Sequence, residues 1–209
     1  EKNLCGLNIT IPFKKKIIKH VDVLDNHSKK INAVNCITTG TLIRGINTDW
    51  IGYYKSLPAK YKKTKSKILL IGYGGAALAI HYVLQTKGFR NTIIFNRSKR
   101  KINFINETKF TKDLKFLRDH IPSADIIINT TPKNPIEKKY SKLVKKTTLL
   151  SDIVYSPKET AFLKNFPQNN KVYGIFMLLE QAVLCFKHWF GFVPKIDSRL
   201  IKILDNKIK

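Results

Sequence analysis

The sequence predicts an α/β protein in which a Rossmann-like domain, built on a doubly wound parallel sheet, follows a smaller α/β unit. Three observations carry this. The residues after Lys67, Ile68 to Ile71, form a short continuous apolar run, the pattern of a strand buried on both faces. The run leads directly into Gly72, Gly74 and Gly75, which open a helix-like stretch, and strand and helix patterns alternate from there on. Ahead of it, two β-branched runs around Gly40 read as a hairpin, separated from the rest by the lysine-rich stretch 58–67.

In chain order, Leu7 to Ile11 alternates apolar and small polar residues and ends at Pro12, which predicts a strand feeding a turn. Ala33 to Thr38 and Thr41 to Ile46 are the hairpin strands. Asp49 stands where an N-cap belongs, before Trp50, Ile51, Tyr54 and Leu57, so a helix is expected from there to just before Pro58. After the glycines, Ala76, Ile80, Val83 and Leu84 form an apolar stripe and Gly88 a C-cap. Asn91 to Phe95, Asp125 to Asn129 and Thr148 to Ile153 read as further strands, with a helix over Ser98 to Glu107. Gly174 to Phe190 is apolar nearly all round, with Phe176, Leu179, Val183, Phe186 and Phe190 on one stripe, and is expected to be buried. Asp197 caps a last amphipathic helix running to Ile208. The expected division is residues 1–58 as one unit, completed by the helices of 182–209, and residues 59–181 as the Rossmann-like domain.

The chain has 209 residues, 43% of them apolar, enough for a real core and too many for a disordered tail. Three cysteines with no C-x-x-C pair argue against a disulfide framework or a zinc ribbon and favour a reducing compartment, the cytoplasm. The five histidines show no metal spacing, so no metal is expected. The uncharged stretch from Ile68 to Leu84 is broken by glycines and too short for a bilayer, and no secretory leader follows Glu1. A net charge of +25 raises nucleic acid as a partner. The distribution argues against it: lysines are strewn through 60–67, 97–101 and 138–146 with no aromatic residues alternating among them, the composition of a basic coat.

Gly72-Tyr73-Gly74-Gly75-Ala76-Ala77 matches the G-x-G-x-x-G/A fingerprint between a strand and a helix. Small residues are needed there because the backbone must approach a pyrophosphate, whose charge rests on the helix's first N–H groups. At the end of the next strand an acid would select the free ribose hydroxyls of NAD. This chain has Asn96, Arg97, Ser98, Lys99, Arg100 and Lys101 instead, which suits a 2′-phosphate and therefore NADP.

Two further constellations precede the glycines: Gly6, Asn8, Thr10, Pro12 and Lys14, then Gly45, Asn47, Thr48 and Asp49. Taken alone, Asn35 and Asn47 read as satisfying turn backbone and Asp49 as a helix cap. Together with Ala33-Val34-Asn35 they resemble the shikimate dehydrogenase family, whose strands carry Gly-x-Asn-Val-Thr-x-Pro-x-Lys, Ala-Val-Asn and Asn-Thr-Asp in this order. The glycine loop, Asn96-Arg97-Ser98, Asp152 to Tyr155 with Pro157, and Gly174 through Gln181 extend the resemblance over essentially the whole chain.

The resemblance implies NADP-dependent interconversion of shikimate and 3-dehydroshikimate in aromatic amino-acid synthesis, by a monomer or homodimer with no nucleic-acid or membrane partner. It implies that Lys14 is the catalytic lysine and Asp49 its partner, that Thr10, Asn35, Tyr155 and Gln181 hold the substrate, and that Thr130 and Gly174 join the cofactor site. It also implies a preceding strand and helix whose serine pair grips the substrate carboxylate. Phe176 departs from the pattern, standing where the family has glycine, which implies bulk beside the nicotinamide. Two alternatives stay open: a quinate/shikimate dehydrogenase with relaxed cofactor use, and a non-catalytic dinucleotide-binding regulatory module.

Overall fold

The computed structural model describes residues 4–96, 109–111 and 114–208. The helix expected over Ser98 to Glu107 lies outside them. The first unit contains strand β1 (Gly6–Asn8), strand β2 (Val23–Leu24), helix α1 (Asn26–Ile31), strands β3 (Cys36–Thr38) and β4 (Arg44–Ile46), and helix α2 (Asp49–Ser56). Its four-stranded sheet has the order β1-β3-β4-β2. The hairpin is present, with β3 antiparallel to β4 and Ile37 opposite Gly45. β1 is shorter than expected: it stops at Asn8, and the chain turns as the Phe13 N–H donates to the Thr10 carbonyl.

The second unit runs β5 (Ile68–Ile71), α3 (Gly75–Thr86), β6 (Thr92–Phe95), β7 (Lys109–Thr111), α4 (Leu114–His120), β8 (Ile126–Asn129), β9 (Leu149–Asp152), α5 (Ala161–Lys164) and β10 (Lys171–Val172). The chain ends with α6 (Gly174–Phe190) and α7 (Ser198–Lys207). The six-stranded sheet is parallel throughout, in the order β10-β9-β8-β5-β6-β7. Read by position of the strands in the second unit this is 6-5-4-1-2-3, the dinucleotide-binding order, with its reversal between β5 and β8.

β5 lies at the centre, and all four of its residues are 2% exposed or less. Burying such side chains stabilises the fold by about 1.5–3 kcal/mol each. Alternate residues of β5 serve opposite faces: Ile68 and Leu70 join α3 residues Ala77, Ile80 and Leu84, while Leu69 and Ile71 join Leu117, Ile121 and Phe162. The first core also takes in Ile31, Tyr53 and Leu57 of the first unit, because α2 packs on both α3 and α6. Tyr53 on α2 donates to Ser151 Oγ on β9 at 3.2 Å, pinning that helix to the parallel sheet.

α6 departs from its expected full burial. Leu179 and Val183 are buried, but Phe186 and Phe190 are exposed, because the last turns of the helix run beyond the cores. Their rings pack on each other, centroids 5.3 Å apart. Among the described residues no helix is long and apolar enough to cross a membrane.

His81, on α3, is fully buried, and burial pulls its pKa down to about 4 from an ordinary 6.5. Since the unfolded chain takes up the proton first, this group stabilises the fold above pH 6.5. The contribution, about 3 kcal/mol, is lost as pH falls toward 4. Melting His81→Leu beside the parent chain from pH 7 to pH 4 should show the parent losing more stability; parallel curves would rule the effect out.

Candidate active site

The corner between β4 and α2 is built by Asn47. Its Oδ1 accepts the Asp49 N–H at 3.0 Å and its Nδ2 donates to the Ala33 carbonyl at 2.9 Å. Asn47 therefore satisfies turn backbone, as an isolated Asn in a turn is read to do. The expectation that Asp49 caps its helix is corrected: the cap position is Thr48, whose own side chain makes no capping hydrogen bond, and Asp49 is the first helical residue. With Asn47 holding its backbone, the Asp49 carboxylate is available for other partners.

Lys14 Nζ lies 2.6 Å from Asp49 Oδ2, with side-chain exposures of 13% and 5%. Asn35 Nδ2 donates to Asp49 Oδ1 at 2.9 Å. The orientation of the Asn35 amide is fixed, since the Thr48 N–H, which can only donate, meets Oδ1 at 2.7 Å. Lys14 is held from behind as well, its carbonyl accepting the Val34 N–H at 2.8 Å.

Gln181, buried on α6, completes the cluster. Its Nε2 donates to the Leu178 carbonyl at 2.9 Å, so Oε1 faces inward and accepts from Asn35 Nδ2 at 3.1 Å. Thr48 Oγ1 accepts from Asn35 Nδ2 at 2.9 Å and stands 3.4 Å from the Cys185 thiol. Cys36 is in turn buried beside Cys185, and that contact, followed by desolvation, pushes its thiol well above the usual range. Neither thiol, nor Gly52, stands out in the sequence as part of this site. A Cβ at Gly52 would lie 2.7 Å from Gln181 Cβ and 2.8 Å from its backbone nitrogen, so this glycine is what lets α2 and α6 meet. The signal was present: a glycine inside a helix costs about 1 kcal/mol against alanine and asks for a packing reason.

Lys14, Asp49, Asn35 and Gln181, spread across the chain, are thus brought together. Thr10 and Tyr155 are exposed and make no side-chain hydrogen bond to this cluster among the described residues.

The glycine loop adjoins this cluster. Gly72 follows β5 with φ +94°, a conformation other residues resist, and a Cβ there would lie 2.4 Å from Thr130 Oγ1. Thr130, after β8, closes the other side of the sheet reversal, its N–H and hydroxyl both donating to the Ile71 carbonyl, at 2.8 and 2.7 Å. Gly74 occupies the cap position of α3, with no side-chain cap and open space where a Cβ would point. The Lys14 stem runs past Gly75, its Cδ 3.4 Å from where a Cβ would be. The Lys14–Asp49 cluster and the loop are therefore neighbours, at the carboxyl end of the central strand β5. Ala76 continues α3, and Asn96, half-buried, ends the next strand. Arg97, Ser98 and Lys101 lie outside the described residues. Gly174 is buried as the first residue of α6, against the Ile153 carbonyl. Phe176 packs on the cluster of Ile175, Leu179 and Ile208, so its ring has a place in the apolar packing around α7.

Residues 1–37 match the shikimate dehydrogenase substrate binding domain, and residues 57–162 the shikimate / quinate 5-dehydrogenase family. The curated shikimate dehydrogenase (NADP(+)) of Methanosphaera stadtmanae is 37% identical, aligned over 94% of this chain and 76% of its own length. The crystal structure of shikimate dehydrogenase from Aquifex aeolicus superposes with a TM-score of 0.81 at 31% identity, covering 96% of this chain and 77% of that one. A shikimate dehydrogenase solved in complex with NADP+ superposes with a TM-score of 0.83 at 29% identity, covering 99% and 77%.

Proposed function

The chain belongs to the shikimate dehydrogenase family, and from that premise we propose how its own residues carry the reaction. The activity is NADP-dependent oxidoreduction between shikimate and 3-dehydroshikimate. One observation supports the assignment of roles above the others: the Lys14–Asp49 pair stands beside the glycine loop, in contact with it through the lysine stem.

The loop fits a dinucleotide. The space beside Gly74 and the α3 terminus without a side-chain cap leave backbone N–H groups for a pyrophosphate, and Gly72, Gly75, Ala76, Thr130 and Gly174 complete that side of the site. When bound, NADP supplies the acceptor or donor of the hydride exchanged with the ring carbon. In the reducing direction the Lys14 ammonium gives a proton from Nζ to the carbonyl oxygen as the ring carbon gains hydride, leaving the neutral amine. In the oxidising direction that neutral amine takes the hydroxyl proton and becomes the ammonium again. Asp49 holds Nζ through Oδ2, while Asn35 fixes Oδ1 so that the carboxylate does not rotate away. Gln181 presents the second N–H of its Nε2 to a substrate hydroxyl, and Asn35, both of whose Nδ2 N–H groups are engaged within the cluster, meets the substrate by giving up one of those bonds, with Thr10 and Tyr155 closing over the ring. Residues 1–58 and 182–209 form the substrate-binding unit and 59–181 the cofactor unit, and the reaction takes place in the cytoplasm.

The test is NADPH formation from NADP+ with shikimate, beside quinate and NAD+. Shikimate-dependent turnover with NADP+ is expected; NADP+ binding without turnover of either alcohol would mark a non-catalytic module. The 2′-phosphate falls to Asn96, Arg97, Ser98 and Lys101. Arg97→Ala with Lys101→Ala is expected to lower the preference for NADP over NAD by about tenfold. Competition binding of the two cofactors measures it, and an unchanged preference would remove this cluster from the site.

A further inference from the structure

Tyr73 occupies the variable position of the glycine fingerprint, between Gly72 and Gly74, yet its side chain is only 3% exposed. The ring turns inward, into the core shared with Leu70, Ala77 and Ile80. Its hydroxyl meets His81 Nδ1 at 3.0 Å, and the two rings pack edge to face with centroids 5.8 Å apart. His81 is itself fully buried, further along the helix that the loop opens. A phenol is costly to bury without a partner, and so is an imidazole, and this bond meets part of that need for both residues.

We propose that Tyr73 and His81 are a positioning pair that fixes the dinucleotide loop before NADP arrives. On one flank the loop is tied at Thr130, through the Ile71 carbonyl. On the other, the only side chain between its first two glycines is Tyr73, anchored to α3 by His81. The two ties leave Gly72 and Gly74 little freedom, so the N–H groups that receive the pyrophosphate need not be ordered at the moment of binding. His81 stays uncharged at working pH, since burial holds its pKa near 4, and the hydrogen bond is therefore constant over the range in which the protein acts. Both side chains are buried, which makes their role one of preorganisation, not contact.

The inference rests on the reading of the loop as the NADP site, and the experiment separates the two. Calorimetric titration of the parent chain with NADP+ comes first: no binding would overturn the reading of the loop itself. Given binding, Tyr73→Phe and His81→Leu should each weaken NADP+ by about 3–10-fold, the worth of one hydrogen bond. The double variant should lose little more than either single one, because both remove the same bond. His81→Asn, which keeps a partner near the Nδ1 position, should recover most of the affinity. In turnover the loss should appear in the KM for NADP+, with kcat and the KM for shikimate unmoved. Affinity within about twofold of the parent in both single variants, whatever their melting temperatures, would overturn the proposal. Losses that simply add would do so too, since the residues would then act separately.

Discussion

Lys14→Ala is expected to lower kcat by about 100-fold or more while NADP+ binds almost as before. The prediction follows from how the lysine is placed. Its ammonium has one carboxylate partner, Asp49 Oδ2 at 2.6 Å, in a setting where both side chains are largely removed from water. Alanine removes the group assigned to give and take the proton at the substrate hydroxyl. Asp49 stays behind with Asn35 as its carboxylate's one remaining side-chain partner among the described residues, so a lower melting temperature is expected as well; a buried charge that loses its partner is costly. Loss of stability by itself does not imitate the kinetic effect. Calorimetry with NADP+ counts the folded molecules, and kcat per binding-competent site should still fall. A kcat equal to the parent's would remove Lys14 from the proton path.

The elements that position this lysine differ in how openly the sequence announces them. The β5–loop–α3 unit was legible because three independent signals coincide there: an unbroken apolar run, glycines at the turn, and a helical stripe after it. β7, β10 and β2 were not, since strands of two or three residues, two of them opening on lysine, carry no period to detect. Alternation alone implies the parallel order, but nothing in the sequence marks where that order reverses. Within the site, Lys14, Asp49, Asn35 and Gln181 came from resemblance; from residue chemistry Asn35 is one more turn residue and Asp49 one more cap. What the sequence could not convey is the exchange of duties at the corner, where Asn47 takes over the backbone and leaves Asp49 free for Lys14. The exposed end of α6 failed for a simpler reason. Apolar periodicity says which face of a helix seeks cover, and nothing about how far the neighbouring elements extend.

Gly52→Ala, a change of one methyl group distant from every reacting atom, is expected to reduce kcat/KM for shikimate by about 100-fold, the scale associated with misplacing a positioned group by an ångström. At this helix crossing the added carbon would meet Gln181 Cβ at 2.7 Å, its nitrogen at 2.8 Å and its Cα at 3.0 Å. Two of those atoms are backbone, so no rotamer change relieves the overlap and α6 itself must move outward. Gln181 and Cys185 move with it, away from Asn35 and Thr48, to which they stand 3.1 and 3.4 Å apart. Overpacking costs about 1–3 kcal/mol, and the better helix propensity of alanine returns at most about 1 kcal/mol, so the melting temperature should fall modestly. The glycine loop sits on β5 and α3 and should still bind NADP+ to within about twofold. The signature is therefore a large kinetic defect toward the alcohol with a small one toward the cofactor, measured by steady-state kinetics and calorimetry on the same preparation. If kcat/KM for shikimate stays at the parent value while the melting temperature drops, Gln181 does not need its position against Asn35 to act, and the substrate-binding role assigned to it falls.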